Sequence, residues 1–421
     1  MPRSLKVSQE YIVKVKAAVQ RQGYPRQKDL AEHLGMSRDT VRKFLNGFPV
    51  DNLNFLEICD RLEQDWKVIA ATDINPGKDK EARFDLFADE SEVEGFNNVK
   101  RQSIEAVCYQ TLSQPGALLR IKAPGLMGKT VLMTRVVNKL RLEGNRTVCL
   151  NLGYTEQEDW NNLNSFLRWF CISVGELLGL PNCLDKYWNE KLSTSKMNCF
   201  GYFQRYLLPQ AESPLVICID EVEQLFNHPV VGKEFLVLLR AWHETAKTIP
   251  IWKRLRLVVV HSTENYLQLS INESPFNVGV AIELQEFTPQ EVQILAKKYG
   301  LDWEVAQVNQ LMASVGGHPF LVRKACEYLQ MYSHFTLEVL LQNAPTEAGI
   351  YANYLRRYWE ILQRHQESLQ ALKTVLTAAN LVRLEAKQSY WLSKLGLVKL
   401  VGNEVMMSCN LYRRYFSDRI S

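Results

Sequence analysis

The stretch "APGLMGKT", residues 123–130, has the spacing of a loop that binds phosphate. The pattern G-x-x-x-x-G-K-[ST] calls for glycine where Ala123 stands, but alanine can open the turn if its φ is negative. Lys129 would neutralise charge on the β- and γ-phosphates of a nucleotide, and the Thr130 hydroxyl would bind Mg²⁺. The nucleotide-binding residues predicted in this stretch are Gly125, Leu126, Met127, Gly128, Lys129, Thr130 and Val131.

A second, acidic motif follows further along the chain, in "PLVICIDEVEQLF" (214–226). This apolar strand ends in two carboxylates. Asp220 is placed to hold Mg²⁺ through water, and Glu221 to activate or orient the water that attacks a phosphate. A strand that ends in an exposed acidic turn would give the same pattern. The two motifs in this order favour the nucleotide site.

Polar residues also end the segment "RLRLVVVHSTE" (254–264), where a group that contacts the γ-phosphate would belong. Ser262 or Thr263 could donate a hydrogen bond to that phosphate or to its water, and we take Thr263 as the candidate. His261 is more typical of a satisfied strand-end residue than of a catalyst. The candidate catalytic residues are Lys129, Glu221 and Thr263.

These residues need a scaffold, and strands and helices alternate from about residue 99 onward. Besides the strand that ends in Asp220, strands are predicted at 117–123, 146–152, 254–264 and 279–284. Such alternation is typical of an α/β fold, a parallel sheet with helices on both faces. The loop at 123–130 then lies between a strand and a helix, the context that phosphate binding requires.

Several of these segments also carry a resemblance that covers roughly residues 85–421. They make the chain similar to P-loop NTPases of the AAA+/STAND kind, close to the cyanobacterial AAA-like domain proteins. The resemblance implies ATP and Mg²⁺ as cofactors. It further implies that residues 316–319 begin or line a helical lid near the adenine, with Pro319 and Arg323 contacting the nucleotide. The segments are "RIKAPGLMGKT", "PLVICIDEVEQLF", "VVVHSTE", "LQEFTPQEV", "GGHPFLVRKA" and "LYRRYF".

One departure from that family concerns the arginine finger, which usually lies between the fourth and fifth strands and acts on a neighbour's nucleotide. Residues 264–284 contain no Arg and no Lys. Because such a finger raises the rate by orders of magnitude where it is used, its absence favours a slow switch over ring-type hydrolysis. Arg254 or Arg256, just before the fourth strand, could substitute.

The first seventy residues predict a helix-turn-helix, within the stretch "RQKDLAEHLGMSRDTVRKFLNG" (26–47). Gly35 would end the first helix and Ser37 would cap the second. Residues 8–70 resemble the Cro/repressor-like family, and residues 1–49 carry ten Lys and Arg against four Asp and Glu. The alternative is a helical interaction domain that touches no DNA. The residues predicted to contact double-stranded DNA are Gln27, Ser37, Arg38, Asp39, Thr40, Arg42 and Lys43.

The remaining segments complete a multidomain organisation. The segment "LSKLGLVKL" is typical of the last helix and first strand of a winged helix, which would either bind DNA or pack on the nucleotide domain. The predicted domains are an all-α helix-turn-helix domain (1–70), an acidic linker (71–98), an α/β P-loop NTPase domain (99–285), a helical lid (286–345) and a C-terminal winged helix (346–421).

The net charge, the cysteines and the apolar segments bear on the protein's partners and on its location in the cell. The net charge of +4 implies no partner by itself, and the nine cysteines are scattered, so a disulfide framework is not expected. No signal peptide opens the sequence and no apolar run is long enough to span a bilayer. We expect a cytoplasmic protein with no membrane partner.

The favoured function is an ATP-binding, slowly hydrolysing switch protein that binds DNA and self-associates there, as a regulator or an initiator-like factor. One alternative is a transcription factor that binds nucleotide as a ligand without significant turnover. Another is a STAND-type signalling or defence sensor whose N-terminal domain recruits a protein.

Overall fold

The computed structural model describes residues 4–62 apart from 9–10, 22–23, 25–26 and 35, then residue 69, and residues 99–420 apart from 264–276 and 379. Two compact units divide the chain, Met1–Leu86 and Phe87–Ser421. The predicted linker at 71–98 lies outside the described residues.

The first unit is a small helical body with a two-stranded antiparallel sheet. Phe44 and Phe55 are fully buried at its centre, with ring centroids 4.9 Å apart. The Ser37 side chain accepts from Thr40 N, so Ser37 caps the second predicted helix as expected. Gly35 lies outside the described residues, and the helix-turn-helix assignment stays a prediction. The elements are β1 (Ser4–Leu5), α1 (Ile12–Arg21), α2 (Gln27–Leu34), α3 (Arg38–Leu45), β2 (Val50–Asp51) and α4 (Asn52–Arg61).

A five-stranded parallel sheet forms the centre of the second unit, which confirms the predicted fold class for this part. The strand order is β4-β5-β6-β3-β7, so β6 lies between the strand of the phosphate-binding loop and the strand of the acidic motif. The strands are β3 (Leu118–Ala123), β4 (Arg146–Asn151), β5 (Leu215–Asp220), β6 (Leu255–Ser262) and β7 (Val280–Glu283).

Helices cover both faces of this sheet, because successive strand residues point to opposite sides. Val216 and Cys218 pack into the cluster with α5 and α6, whereas Ile217 and Ile219 pack into the cluster on the other face. The covering helices are α5 (Gln102–Leu112), α6 (Lys129–Leu142), α7 (Leu163–Leu177), α8 (Leu184–Tyr187), α9 (Ser195–Tyr202), α10 (Leu208–Gln210) and α11 (Pro229–Thr245).

Between β4 and β5 the chain forms an aromatic-rich helical segment that the sequence did not predict. A π-helical turn, Phe203–Leu207, joins α9 to α10. Pro209 follows directly and has no N–H to donate, which accounts for the displaced hydrogen-bond register. The segment packs Phe166 and Phe170 against Phe235 of α11 and so closes one face of the sheet.

The C-terminal part is helical with one short hairpin. The hairpin turns at residues 402–403, and Val382 adds a single bridge to Val405. One hydrophobic cluster runs from Val292 to Phe416, so the predicted lid and the C-terminal elements share a core. The elements are α12 (Pro289–Lys298), α13 (Val305–Val315), α14 (Pro319–Met331), α15 (Leu337–Asn343), α16 (Ala352–Gln363), α17 (Gln366–Thr377), α18 (Ala386–Lys394), β8 (Val398–Val401), β9 (Glu404–Met407) and α19 (Asn410–Ile420).

All nine cysteines are free thiols, and only Cys183 is partly exposed. Among the described residues, no helix combines the length and apolar character that crossing a bilayer requires.

Candidate functional site

The candidate site lies at one edge of the sheet, where four parallel strands end side by side. Parallel strands present their carboxyl ends at the same edge, which is where open α/β sheets bind ligands. The last residues of these strands are Ala123, Asn151, Asp220 and Ser262.

The phosphate-binding loop occupies residues 124–128, between β3 and α6. Ala123 is the last residue of β3 and pairs with Ser262, so its extended backbone suits alanine as well as glycine. Gly128 has a φ of 88°, a left-handed conformation that favours glycine, and α6 begins at the next residue. The loop therefore has the backbone that its sequence pattern predicts.

The Lys129 amine is held by the loop. Its Nζ donates to the carbonyl oxygens of Ala123 and Pro124, at 3.1 and 2.8 Å, and lies 3.5 Å from Ser262 Oγ. An ammonium in this position is directed at the space above the loop, where the phosphates of a nucleotide would sit.

Thr130, in the first turn of α6, contacts Asp220, at the end of β5, although β6 lies between β3 and β5. The Thr130 hydroxyl donates to Asp220 Oδ2 at 2.9 Å. Burial raises the pKa of Asp220, while hydrogen bonds from Glu221 N and the Thr130 hydroxyl lower it. A hydroxyl and a carboxylate side by side are oxygen ligands of the kind Mg²⁺ prefers when nucleotide phosphates and water complete its shell. The predicted metal-binding pair, Thr130 and Asp220, is thus brought together and fits Mg²⁺.

Glu221 adopts a backbone conformation that is unusual for a residue with a side chain, with a φ of 54°. Its Oε1 accepts from Asn151 Nδ2 at 3.3 Å, and a Cβ placed on Gly153 would come within 2.5 Å of its Oε2. The turn after β5 therefore directs the carboxylate towards the end of β4. Sequence reasoning missed Asn151, which lies near the end of a predicted strand, and Gly153, which follows that strand.

The two polar residues that end β6 have different partners. The Ser262 hydroxyl lies near Lys129, and its backbone N–H donates to Glu223 Oε2 at 3.0 Å. The Thr263 hydroxyl instead donates to the carbonyl oxygen of Lys394 at 2.9 Å. Geometry therefore favours Ser262 for contact with a terminal phosphate, and the role given to Thr263 stays a prediction.

His261 is a satisfied strand residue, as its sequence context indicates. Its Nδ1 lies 3.1 Å from the Ser262 carbonyl oxygen, and its side chain is buried. Burial lowers the pKa of His261 to about 4, so its imidazole is neutral at neutral pH.

A cleft of 310 Å³ opens beside the loop, between α6 and the lid helix α14. Pro319 begins α14, as the predicted lid requires, and Arg323 lines the cleft with its guanidinium 3.6 Å from Glu327. Apolar side chains suited to a purine ring complete the walls. They are Val99, Leu126, Met127, Phe287, Leu295 and Phe320.

The opposite wall of the cleft is a polar network that sequence reasoning missed. Arg135 on α6 donates to Glu105 Oε1 at 3.2 Å and to the Val99 carbonyl oxygen at 2.9 Å. Arg101 stacks on Phe287, with the guanidinium carbon 4.8 Å from the ring centroid. The Arg135 contacts fasten residues 99 and 105 to the helix that follows the loop, and Arg101 packs on the segment just before α12.

Arg256 is not available to substitute for an arginine finger. It is buried, and its guanidinium donates to the carbonyl oxygens of Leu112 and Arg254. Arg254 remains exposed at the start of β6.

The predicted DNA contacts lie in the first unit, on α3. Arg38, Asp39, Arg42 and Lys43 are exposed, and Asp39 forms ion pairs with Arg42 and Lys43 at 2.5 and 2.9 Å. The Ser37 and Thr40 hydroxyls lie 2.7 Å apart at the start of the helix. Gln27 begins α2, and its side chain lies outside the described residues.

Comparison with known proteins identifies relatives of the second unit. A family model described as an AAA-like domain matches residues 89–418. An uncharacterised WD repeat-containing protein of Synechocystis sp. is 26% identical over 246 residues, which cover 56% of this chain and 20% of that protein. The chain thus spans about a fifth of the length of that curated relative.

The comparison with solved structures bears on the fold alone. A Walker-type ATPase of Pyrococcus abyssi superposes with a TM-score of 0.52 at 12% identity, over 76% of this chain and 96% of that chain. The ORC2 protein of Aeropyrum pernix matches 76% of this chain and 93% of that chain, at 14% identity and a TM-score of 0.45. The first likeness shows a P-loop NTPase-like fold.

Proposed function

The chain belongs to the AAA-like domain family, and on that basis we propose that it is a switch protein that binds ATP with Mg²⁺ and hydrolyses it slowly. The observation that carries this proposal is the 2.9 Å contact between Thr130 and Asp220. It joins the phosphate-binding loop to the acidic motif, and the Lys129 ammonium lies beside both.

Each residue has a distinct task in this function. Lys129 leaves the carbonyl oxygens of residues 123 and 124 to pair with phosphate oxygens. Thr130 and Asp220 would hold Mg²⁺, which would neutralise charge on the transferred phosphate. Glu221 accepts the proton of the attacking water, with its carboxylate oriented by Asn151. Pro319 and Arg323 place the lid helix against the nucleotide, so binding and release would move the lid.

Slow turnover is expected because the segment where the family carries its arginine finger has no cationic residue, and of the two possible substitutes Arg256 is engaged while Arg254 is exposed. Residues 264–284 contain no Arg and no Lys, and Arg256 is buried among backbone carbonyls. P-loop NTPases that lack an arginine finger to stabilise the charge of the transition state turn over orders of magnitude more slowly. A long-lived ATP state suits a switch.

The first unit supplies the second half of the proposal, a double-stranded DNA partner. Its α3 exposes Arg38, Arg42 and Lys43 on one short helix, a charge pattern suited to phosphates and base edges. One such module binds weakly, so self-association on DNA would provide specific binding. In this function the protein acts as a regulator or an initiator-like factor.

The test is ATP turnover by the full chain, compared with Glu221→Gln and with the exposed control Glu176→Gln. We expect Glu221→Gln to bind Mg·ATP but to lose turnover by at least about a hundredfold, whereas the control keeps it. Equal turnover in all three proteins would refute hydrolysis at this site. Nucleotide binding without turnover in the wild type would instead support a nucleotide-liganded factor.

A further inference from the structure

Strand β6 extends beyond the end of its neighbour β5. The last pair between them joins Ile219 to Val259, while β6 continues to pair with β3 as far as Ser262. After Asp220 the chain leaves the sheet, because Glu221 takes a left-handed backbone conformation. The final residues of β6 therefore need support from something other than a β5 strand partner.

The side chain of Glu223 supplies that support. Glu223 lies in the 3₁₀ turn Val222–Asn227, and its Oε2 accepts the backbone N–H of Ser262 at 3.0 Å. Burial raises the pKa of Glu223, whereas hydrogen bonds from its own backbone and Ser262 and the charge of Lys129 lower it. Glu223 is partly buried, and because withdrawing a carboxylate from water is costly, its retention beside the site calls for a specific task.

The geometry points to that task. The N–H that Glu223 holds belongs to the residue whose hydroxyl lies 3.5 Å from Lys129 Nζ. We propose that Glu223 is a positioning residue that fixes the end of β6, so that the Ser262 hydroxyl faces the terminal phosphate of a nucleoside triphosphate. This inference rests on the proposed function and adds to it, because it makes Glu223 responsible for distinguishing triphosphate from diphosphate.

Glu221 and Glu223 thus have separate roles although they lie in the same turn. Glu221 faces Asn151 at the end of β4, and Glu223 faces Ser262 at the end of β6. Glu221 is itself oriented by the Asn151 amide, whereas Glu223 holds the backbone of the residue that ends β6.

The experiment compares four full-length proteins: wild type, Ser262→Ala, Glu223→Met and the double variant. Methionine keeps the side-chain length of Glu223 and removes its acceptors. Affinities for Mg·ADP and for a Mg-bound non-hydrolysable ATP analogue are measured by titration calorimetry. We expect each single variant to lose about tenfold in affinity for the analogue and less than about twofold for ADP. In the Ser262→Ala background, Glu223→Met should have almost no further effect.

A fifth protein, Glu223→Gln, keeps one acceptor oxygen and should bind the analogue within about threefold of wild type. Glu223→Gln also tests the proposal if Glu223→Met does not fold. A tenfold loss of affinity for the analogue in Glu223→Gln would contradict a role through the acceptor oxygen. Additive losses in the double variant, or equal losses for ADP and the analogue, would overturn the inference. A wild type that binds neither nucleotide would overturn the proposed function instead.

Discussion

Asn151 Nδ2 donates to Glu221 Oε1 at 3.3 Å, between the ends of two neighbouring strands. The amide is itself oriented, because Asn151 Oδ1 accepts the N–H of Gly153 at 2.7 Å. Its nitrogen therefore faces the carboxylate. A residue of β4 thus orients the group assigned to activate water.

Replacing this amide should slow hydrolysis without weakening nucleotide binding. Asn151→Ala removes the donor, and Asn151→Asp places a second negative charge beside Glu221 and repels it. Because a catalytic group displaced by about 1 Å can lose about a hundredfold in rate, we expect turnover to fall tenfold to a hundredfold. Turnover and ADP affinity, measured together, check this prediction. An unchanged turnover for Asn151→Asp would contradict it.

A second prediction concerns Gly153, because a side chain at this position would displace the carboxylate of Glu221. The added Cβ of Gly153→Ala would meet Glu221 Oε2 at 2.5 Å and Asn151 Oδ1 at 2.9 Å, so the ends of these two side chains must shift. We expect stability to change by less than about 1 kcal/mol while turnover falls at least tenfold. Gly175→Ala in α7, whose Cβ would make only ordinary contacts, is the matched control. Equal turnover in the two variants would rule out this steric effect.

The neighbours Ser262 and Thr263 should respond differently to loss of their hydroxyls. Ser262→Ala removes the hydroxyl near Lys129, so we expect turnover to fall about tenfold or more. Thr263→Val removes the bond to the Lys394 carbonyl, so we expect a loss of about 1 kcal/mol in unfolding free energy with little change in turnover. Steady-state kinetics and urea unfolding separate the two effects. The reverse result would restore Thr263 as the residue that contacts phosphate.

His318 predicts a dependence of stability on pH. Burial lowers the pKa of His318 to about 4, below the 6.5 of an exposed imidazole. Between pH 4 and pH 6.5 the His318 imidazole is therefore protonated in the unfolded chain and neutral in the folded chain. The free energy of unfolding then decreases as pH falls from about 6.5 towards 4. The full loss is up to about 3 kcal/mol.

The test compares urea unfolding of wild type and His318→Gln at pH 7.5 and pH 5.5. Because the variant lacks the titrating ring, its stability should fall by about 1 kcal/mol less over this interval. His261, whose pKa burial also lowers to about 4, stays in both proteins and cancels in the difference. Parallel pH profiles would show that His318 is protonated in the folded chain.

Asp39 should weaken non-specific DNA binding by the full chain. Its carboxylate occupies Arg42 and Lys43 through ion pairs and adds negative charge to the exposed helix. We expect Asp39→Asn to bind random duplex DNA more tightly, and to lose affinity with salt more steeply by about one counterion. The opposite variant, Arg38→Ala, should bind more weakly with a shallower salt dependence. No salt-dependent binding by any of these proteins would contradict a DNA partner.

The strands of the central sheet were predicted well from the sequence. Val216–Ile219 and Leu257–Val260 are continuous apolar runs, which are typical of a parallel sheet with helices packed on both faces. The loop at 123–130 and the acids after β5 are local motifs, so their spacing alone identifies them. The cap at Ser37 is local as well. Features that depend on a few neighbouring residues were therefore predictable.

Contacts between residues that are distant in the sequence could not be predicted. Asn151 reaches Glu221 only because β4 and β5 are neighbours, and a single sequence does not give the strand order. Ser262 and Thr263 are adjacent polar residues with different partners. β6 extends beyond the end of β5, and the Thr263 hydroxyl reaches the carbonyl oxygen of Lys394, which is distant in the sequence. The helical segment between β4 and β5 was missed because its aromatic residues obscure the helical period of its polar face.

The strand order also constrains when the pocket can form during synthesis. β3 and β5 are not neighbours; both pair with β6, which the ribosome makes last of the three. A nascent chain that has not yet released residues 255–262 carries the phosphate-binding loop and both acids of the second motif, but it lacks the strand that pairs with both β3 and β5. Nucleotide would therefore stabilise this protein only after β6 has been released, and the emerging chain must pass through the earlier interval without its ligand.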